Sequence, residues 1–66
     1  MKYTVVEIQN GIVGANVWTY DAQEQAEAKY HSVLSVAAVS SVAVHTAMLV
    51  TEEGFTVAYQ CYKHEA

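Results

Sequence analysis

The segment that decides the fold is Tyr3-Thr4-Val5-Val6-Glu7-Ile8-Gln9-Asn10-Gly11-Ile12-Val13-Gly14-Ala15-Asn16-Val17-Trp18. Its Asn10-Gly11 pair lies between two β-branched runs and is a strong hairpin signal, because both central residues of a type I′ turn need positive φ. A two-residue turn here predicts a register in which the following residues are opposite each other: Gln9 and Ile12, Ile8 and Val13, Val6 and Ala15, Thr4 and Val17, Tyr3 and Trp18.

Side-chain alternation divides this predicted hairpin into two faces. The first is small and apolar and carries Thr4, Val6, Ile8, Val13, Ala15 and Val17. The second mixes aromatic and polar groups and carries Tyr3, Val5, Glu7, Ile12, Gly14, Asn16, Trp18 and Tyr20. We expect a helix to pack on the small apolar face, because close helix packing favours small side chains. The aromatic face is then open and needs another cover.

A helix is predicted after this hairpin. Asp21 and Glu24 have the N-cap to N3 spacing of a capping box, and good helix formers follow from Ala22 to about Val39. The second half of this helix is apolar around most of its girth, through Val33, Leu34, Val36, Ala37, Ala38 and Val39. One sheet cannot bury all of these side chains.

A second hairpin is predicted from the alternation of Val42 to Val50 and the turn signal Glu53-Gly54. A two-residue turn predicts the pairs Val50 with Val57, Met48 with Tyr59, Thr46 with Cys61 and His45 with Tyr62. A bulged three-residue turn is the alternative and would shift this register. The two-residue version is favoured because it unites the strongly apolar faces and leaves His45, Ala58, Gln60 and Tyr62 together on the reverse.

The chain is therefore predicted to be one small α+β domain spanning residues 1–66. Its element order is strand, strand, helix, strand, strand, and the helix reverses the chain so that the third strand can pair antiparallel with the first. We expect a four-stranded antiparallel sheet of order 2-1-3-4 with one helix on one face.

Composition favours self-association. A 66-residue chain hides only about 60% of its unfolded surface when it folds alone. Cys61 is the single cysteine, so no intrachain disulfide can stabilise the fold. Hydrophobic residues make up 53% of the chain and charged residues only 15%, which leaves few groups to coat a small body. We expect a homo-oligomer, at least a dimer.

The net charge and the lack of long apolar segments also indicate which partners and which cellular compartment to expect. The net charge is −4 with three lysines and no arginine, which argues against binding duplex nucleic acid. The amino terminus lacks the apolar region of a signal peptide, and no stretch has the length of a membrane span. The lone thiol suits a reducing compartment. A soluble protein of the cytoplasm, without membrane contact, is expected.

No catalytic or metal-binding signature is visible. His31, His45 and His64 could supply acid and base groups, but their spacing matches no known catalytic pattern, and no enzyme activity is predicted. Cys61 and His64 form a C-x-x-H fragment, whereas a structural zinc site needs four ligands. Neither a metal nor another cofactor is expected. Cys61 is predicted to face the core, where a thiol behaves as a small hydrophobe.

One cluster on the aromatic face has two possible interpretations. It contains Tyr3, Trp18, Tyr20, His45, Gln60 and Tyr62. Aromatic rings with hydrogen-bonding neighbours can stack on a base, so the cluster could bind a nucleotide-like ligand. Aromatic residues are also enriched at the centres of protein interfaces, so the same cluster suits a subunit interface. The two alternatives are compatible if the pocket lies between subunits.

Three segments resemble short uncharacterised proteins of bacteriophages and prophages of gut Gram-positive bacteria: Ala26-Glu27-Ala28-Lys29-Tyr30-His31, Ala37-Ala38-Val39-Ser40-Ser41-Val42-Ala43-Val44-His45 and Thr51-Glu52-Glu53-Gly54. The resemblance covers nearly the whole chain and implies a phage protein in the host bacterial cytoplasm. It brings no residue role with it.

By analogy, a tiny oligomeric phage protein without an active site can block host defence by sequestering a nucleotide signal. Such an anti-defence protein would use aromatic stacking at a subunit interface and hold phosphates with Lys29, His31 or helix amino-terminal amides. Tyr30 is a further predicted ligand-binding residue. The alternative is a small structural or partner-binding phage module without a small-molecule ligand.

Overall fold

The computed structural model describes residues 1–64. Its elements are β1 (Tyr3–Gln9), β2 (Val17–Tyr20), α1 (Gln23–Ala38), β3 (Val44–Thr51) and β4 (Thr56–Lys63). The strands form one antiparallel sheet of order β2-β1-β3-β4, and α1 packs on one of its faces. The predicted α+β class, element order and strand order are confirmed.

The first hairpin contains the predicted turn but not the predicted strand register. Asn10 and Gly11 have φ of 53° and 83°, and Gln9 and Ile12 exchange two backbone hydrogen bonds of 3.0 Å. Beyond this pair the register moves by two residues, so that Tyr3 is opposite Tyr20 rather than Trp18. The predicted pair of Tyr3 with Trp18 is therefore wrong.

A second turn, after Ile12, accommodates this shift of two residues. Asn16 N–H donates to the Val13 carbonyl at 3.2 Å, and Gly14 between them has φ of 58°. Glu7 N–H then donates to the Asn16 carbonyl at 2.9 Å, which leads the chain into β2. Because side chains alternate with a period of two, this shift leaves Trp18 and Tyr20 on their predicted face.

Helix α1 begins later than the capping box predicts. Ala22 is the N-cap, with extended backbone at φ −113° and ψ 136° and no side-chain cap hydrogen bond. Asp21 instead accepts a hydrogen bond of 2.5 Å from Lys2 Nζ. The capping-box prediction is wrong because a residue far away in sequence engages the side chain that was expected to cap the helix.

The second hairpin combines both turn alternatives. Thr51 and Phe55 flank a three-residue turn in which Gly54 has φ of 87°. A bulge between Leu49 and Val50 then restores the register of the two-residue version. The predicted pairs Met48 with Tyr59, Thr46 with Cys61 and His45 with Tyr62 are confirmed, whereas Val50 pairs with Thr56 and not with Val57.

The core lies on the face opposite to the predicted one. Val5, Ala47 and Leu49 of the sheet are fully buried against α1, together with Ala26, Tyr30 and Val33 of the helix. The prediction that the helix covers the face of Thr4, Val6 and Ile8 is wrong. Alanines at positions 26 and 47 provide the close helix packing that was expected from the other face, and the partly buried residues around this core are Tyr3, Trp18, Tyr20, Leu34 and Ala58.

Candidate functional site

The predicted ligand-binding cluster lies mostly beneath or beside α1. Tyr30 and His45 are only 6% and 1% exposed. Tyr3, Trp18 and Tyr20 are half-buried and pack against the core. The expectation that this face is open is wrong, because α1 occupies it. Whether these residues bind a ligand stays a prediction.

The other predicted ligand-binding residues are spread around the edges of the helix. His31 is exposed and its ring meets Tyr30 edge-on, with ring centroids 5.6 Å apart. Tyr62 is half-buried and stacks on His64 at 6.2 Å between centroids, while Gln60 is exposed. The predicted residues therefore do not converge on one accessible surface of a single chain.

Lys29, which was expected near a bound phosphate, makes an internal contact. Its Nζ lies 4.1 Å from the centre of the Trp18 ring. A cation over an indole face is attracted by the ring quadrupole. This contact links the side of α1 that carries Lys29 to β2.

A buried polar pair was not recognised in the sequence. His45 Nε2 and Glu7 Oε2 are 2.6 Å apart, and both residues are buried on the helix side of the sheet. His45 Nδ1 has no hydrogen-bond partner. The signal was present, since an antiparallel pairing of the first and third strands places both side chains on the same face. Burial leaves both side chains largely shielded from solvent.

Three side chains have shifted pKa values: Tyr30 on α1, and Lys2 and Asp21 at the surface. Burial raises the pKa of the Tyr30 phenol, and the charge of the neighbouring Tyr62 adds to the rise. At the surface, the hydrogen bond and opposite charge between Lys2 and Asp21 raise the pKa of the amine and lower that of the carboxyl.

No ligand-sized cavity and no cluster of metal ligands occur within residues 1–64. His64 Nε2 lies 2.8 Å from the Ala37 carbonyl, which ties the end of β4 to the helix. Cys61 is opposite Thr46 on the face that α1 leaves bare. The prediction that Cys61 faces the core is therefore wrong. Within the same range, no helix is long and apolar enough to cross a membrane.

The most unusual surface is the side of the sheet that α1 does not cover, which we call the open sheet face. It consists of Thr4, Val6, Ile8, Val17, Thr19, Val44, Thr46, Met48, Val50, Tyr59 and Cys61. Tyr59 is 59% exposed, Val17 43% and Val44 38%, whereas Thr46 is only 8% exposed. Thr4, Val6, Ile8, Met48, Val50 and Cys61 are half-buried. Among the described strand residues, Lys63 at one end is the only charged side chain on this side. Monomeric proteins rarely expose such a continuous apolar surface.

A smaller apolar surface, which we call the helix-end patch, consists of Val36 and Val39. These residues are 55% and 85% exposed. The prediction that one sheet cannot bury the whole apolar half of the helix is confirmed. Within residues 1–64, Ile12 and Phe55 at the hairpin turns are further exposed hydrophobic residues, at 69% and 70%.

Comparisons with known proteins identify no relative of this chain. No family model, no curated protein and no solved structure matches this chain.

Proposed function

We propose that this protein is a non-enzymatic phage accessory module that assembles with copies of itself in the host cytoplasm and acts through protein–protein contact. The observation that carries this proposal is the open sheet face, which is apolar and lacks a covering layer. A two-layer domain normally buries one face of its sheet and solvates the other with polar side chains. Here the second face is mainly apolar, and its polar members are the threonines Thr4, Thr19 and Thr46.

The packing of the titratable side chains supports a role without catalysis. An acid–base pair needs access to a substrate within hydrogen-bonding distance. Glu7 and His45 form a carboxylate–imidazole pair with 2.6 Å between Oε2 and Nε2, and both residues are buried on the side of the sheet that α1 covers. The remaining histidines contact an aromatic ring or a backbone carbonyl rather than a nucleophile.

Nucleotide sequestration is the alternative function, and it would require a different kind of contact between subunits. The stacking residues Tyr3, Trp18 and Tyr20 pack against the core of their own chain. A nucleotide would therefore need a cleft that forms between subunits. The interaction module requires no such cleft, and for this reason we favour it.

Two measurements test the proposal. Light scattering at micromolar concentration should give a particle mass that is a multiple of the 7.2 kDa chain, and a monomer at every concentration would contradict self-assembly. A thermal-shift screen with cyclic dinucleotides and ADP-ribose derivatives should leave the melting temperature unchanged. A saturable rise with one nucleotide would favour sequestration instead, because a ligand that binds only the folded state stabilises it.

A further inference from the structure

We propose that a second copy of this chain docks on the open sheet face, sheet against sheet about a twofold axis, with both helices on the outside. The inference rests on the proposed self-assembly and specifies the surface and the symmetry by which it occurs. It yields a four-layer particle in the order helix, sheet, sheet, helix.

The charge distribution points to a second copy as the occupant. In a twofold interface the same patch lies on both subunits, so any charge near its centre faces a like charge. The open sheet face avoids this penalty, because its single lysine lies at the end of β4 beside Val44. The whole chain carries a net charge of −4, and the residues of the open sheet face include no acidic side chain.

The area of the open sheet face lies near the lower limit for a specific dimer. The strands are seven, four, eight and eight residues long. With strand spacing of about 4.8 Å and a rise of about 3.3 Å per residue, they cover about 430 Å² of projected face per copy. Side-chain relief makes the accessible area larger than the projection, so two copies together approach the roughly 1,000 Å² expected of a specific interface.

The side chains also have the size that sheet stacking requires. Stacked sheets lie about 10 Å apart and fill the space with interdigitating side chains of medium size. Val6, Ile8 and Met48 supply such side chains near the middle, and Tyr59 is a half-exposed aromatic anchor on β4. The helix-end patch, by comparison, offers only Val36 and Val39, which is too little to hold a dimer.

Matched charge variants distinguish these two surfaces. Tyr59→Glu places a carboxylate on the open sheet face, where the single chain leaves the side chain 59% exposed. Val39→Glu places the same group on the helix-end patch at a residue that is 85% exposed. We expect Tyr59→Glu to raise the dimer dissociation constant at least ~10-fold because a buried interfacial charge lacks a partner, and Val39→Glu to leave it within about 2-fold.

The thiol of Cys61 provides a readout that needs no substitution. It is the only cysteine and lies on the open sheet face opposite Thr46. Its reaction rate with 5,5′-dithiobis(2-nitrobenzoic acid) should fall as wild-type concentration rises through the dimer transition. In Tyr59→Glu the rate should be independent of concentration, and in Val39→Glu it should follow the wild type.

The outcomes separate the two proposals. An assembled wild type whose Cys61 reacts equally fast at all concentrations, or an assembly that Val39→Glu dissociates and Tyr59→Glu does not, overturns the sheet-to-sheet dimer while self-assembly stands. A wild type that is monomeric throughout overturns both. Circular dichroism checks that each variant is folded, and the wild-type thiol measurement decides the matter if Tyr59→Glu is not.

Discussion

At the scale of single residues, the hydrogen bond between Glu7 and His45 makes the stability of the core depend on the presence of both side chains. Taking an ionisable pair out of water is costly, and the cost is offset only while both partners remain. His45 Nε2 contacts Glu7 Oε2 at 2.6 Å, and His45 Nδ1 has no partner. Each member of the pair is therefore retained because the other is present.

This dependence predicts a non-additive pair of substitutions. His45→Leu should lower the free energy of unfolding by about 3 kcal/mol because it leaves the buried Glu7 carboxylate without its partner. Adding Glu7→Leu should recover most of that loss, since no unpaired polar group remains. Urea unfolding at one fixed protein concentration measures both, with the exposed His31→Leu as the control. A double variant no more stable than His45→Leu would contradict the argument.

At the scale of elements, the start of α1 lacks a side-chain cap. Ala22 has the extended backbone typical of an N-cap, yet Asp21 is engaged by Lys2. Serine at position 22 could accept a hydrogen bond from the free amides of the first turn. The helix is therefore less stable than its sequence could make it.

Ala22→Ser should raise the free energy of unfolding by about 1 kcal/mol, as measured by urea denaturation. The matched control is Ala28→Ser, which makes the same change at an exposed position inside the helix. There serine should cost about 0.5 kcal/mol because its helix propensity is lower. Equal effects of the two substitutions would refute the capping argument.

At the scale of the whole molecule, the absence of charge near the centre of the open sheet face predicts how assembly responds to salt. Screening weakens interactions between charges and leaves apolar burial largely intact. We expect the dimer dissociation constant to change less than about 2-fold between about 50 mM and about 500 mM sodium chloride. Sedimentation at each salt concentration measures it. A steep rise would indicate that ion pairs, rather than this surface, hold the particle together.

How much could be predicted from the sequence also depends on scale. Alternation assigns Val5, Ala47 and Leu49 to one face and Val6 and Met48 to the other, and this division is confirmed. It does not state which face the helix covers, because both faces are apolar and the helix is apolar around much of its second half. The aromatic residues Tyr3, Trp18 and Tyr20 share a face as predicted, but their accessibility depends on that unassigned choice.

The two-residue shift between the Asn10-Gly11 turn and β2 has a consequence for the natural variation of this protein. Removing or adding two residues in the segment 13–16 keeps Trp18 on the helix side, whereas a change of one residue would turn Trp18 and Tyr20 outward and Val17 and Thr19 inward. Length differences among relatives should therefore come in even numbers at this hairpin. We expect insertions or deletions of one residue to be rarer in this segment than insertions or deletions of two residues.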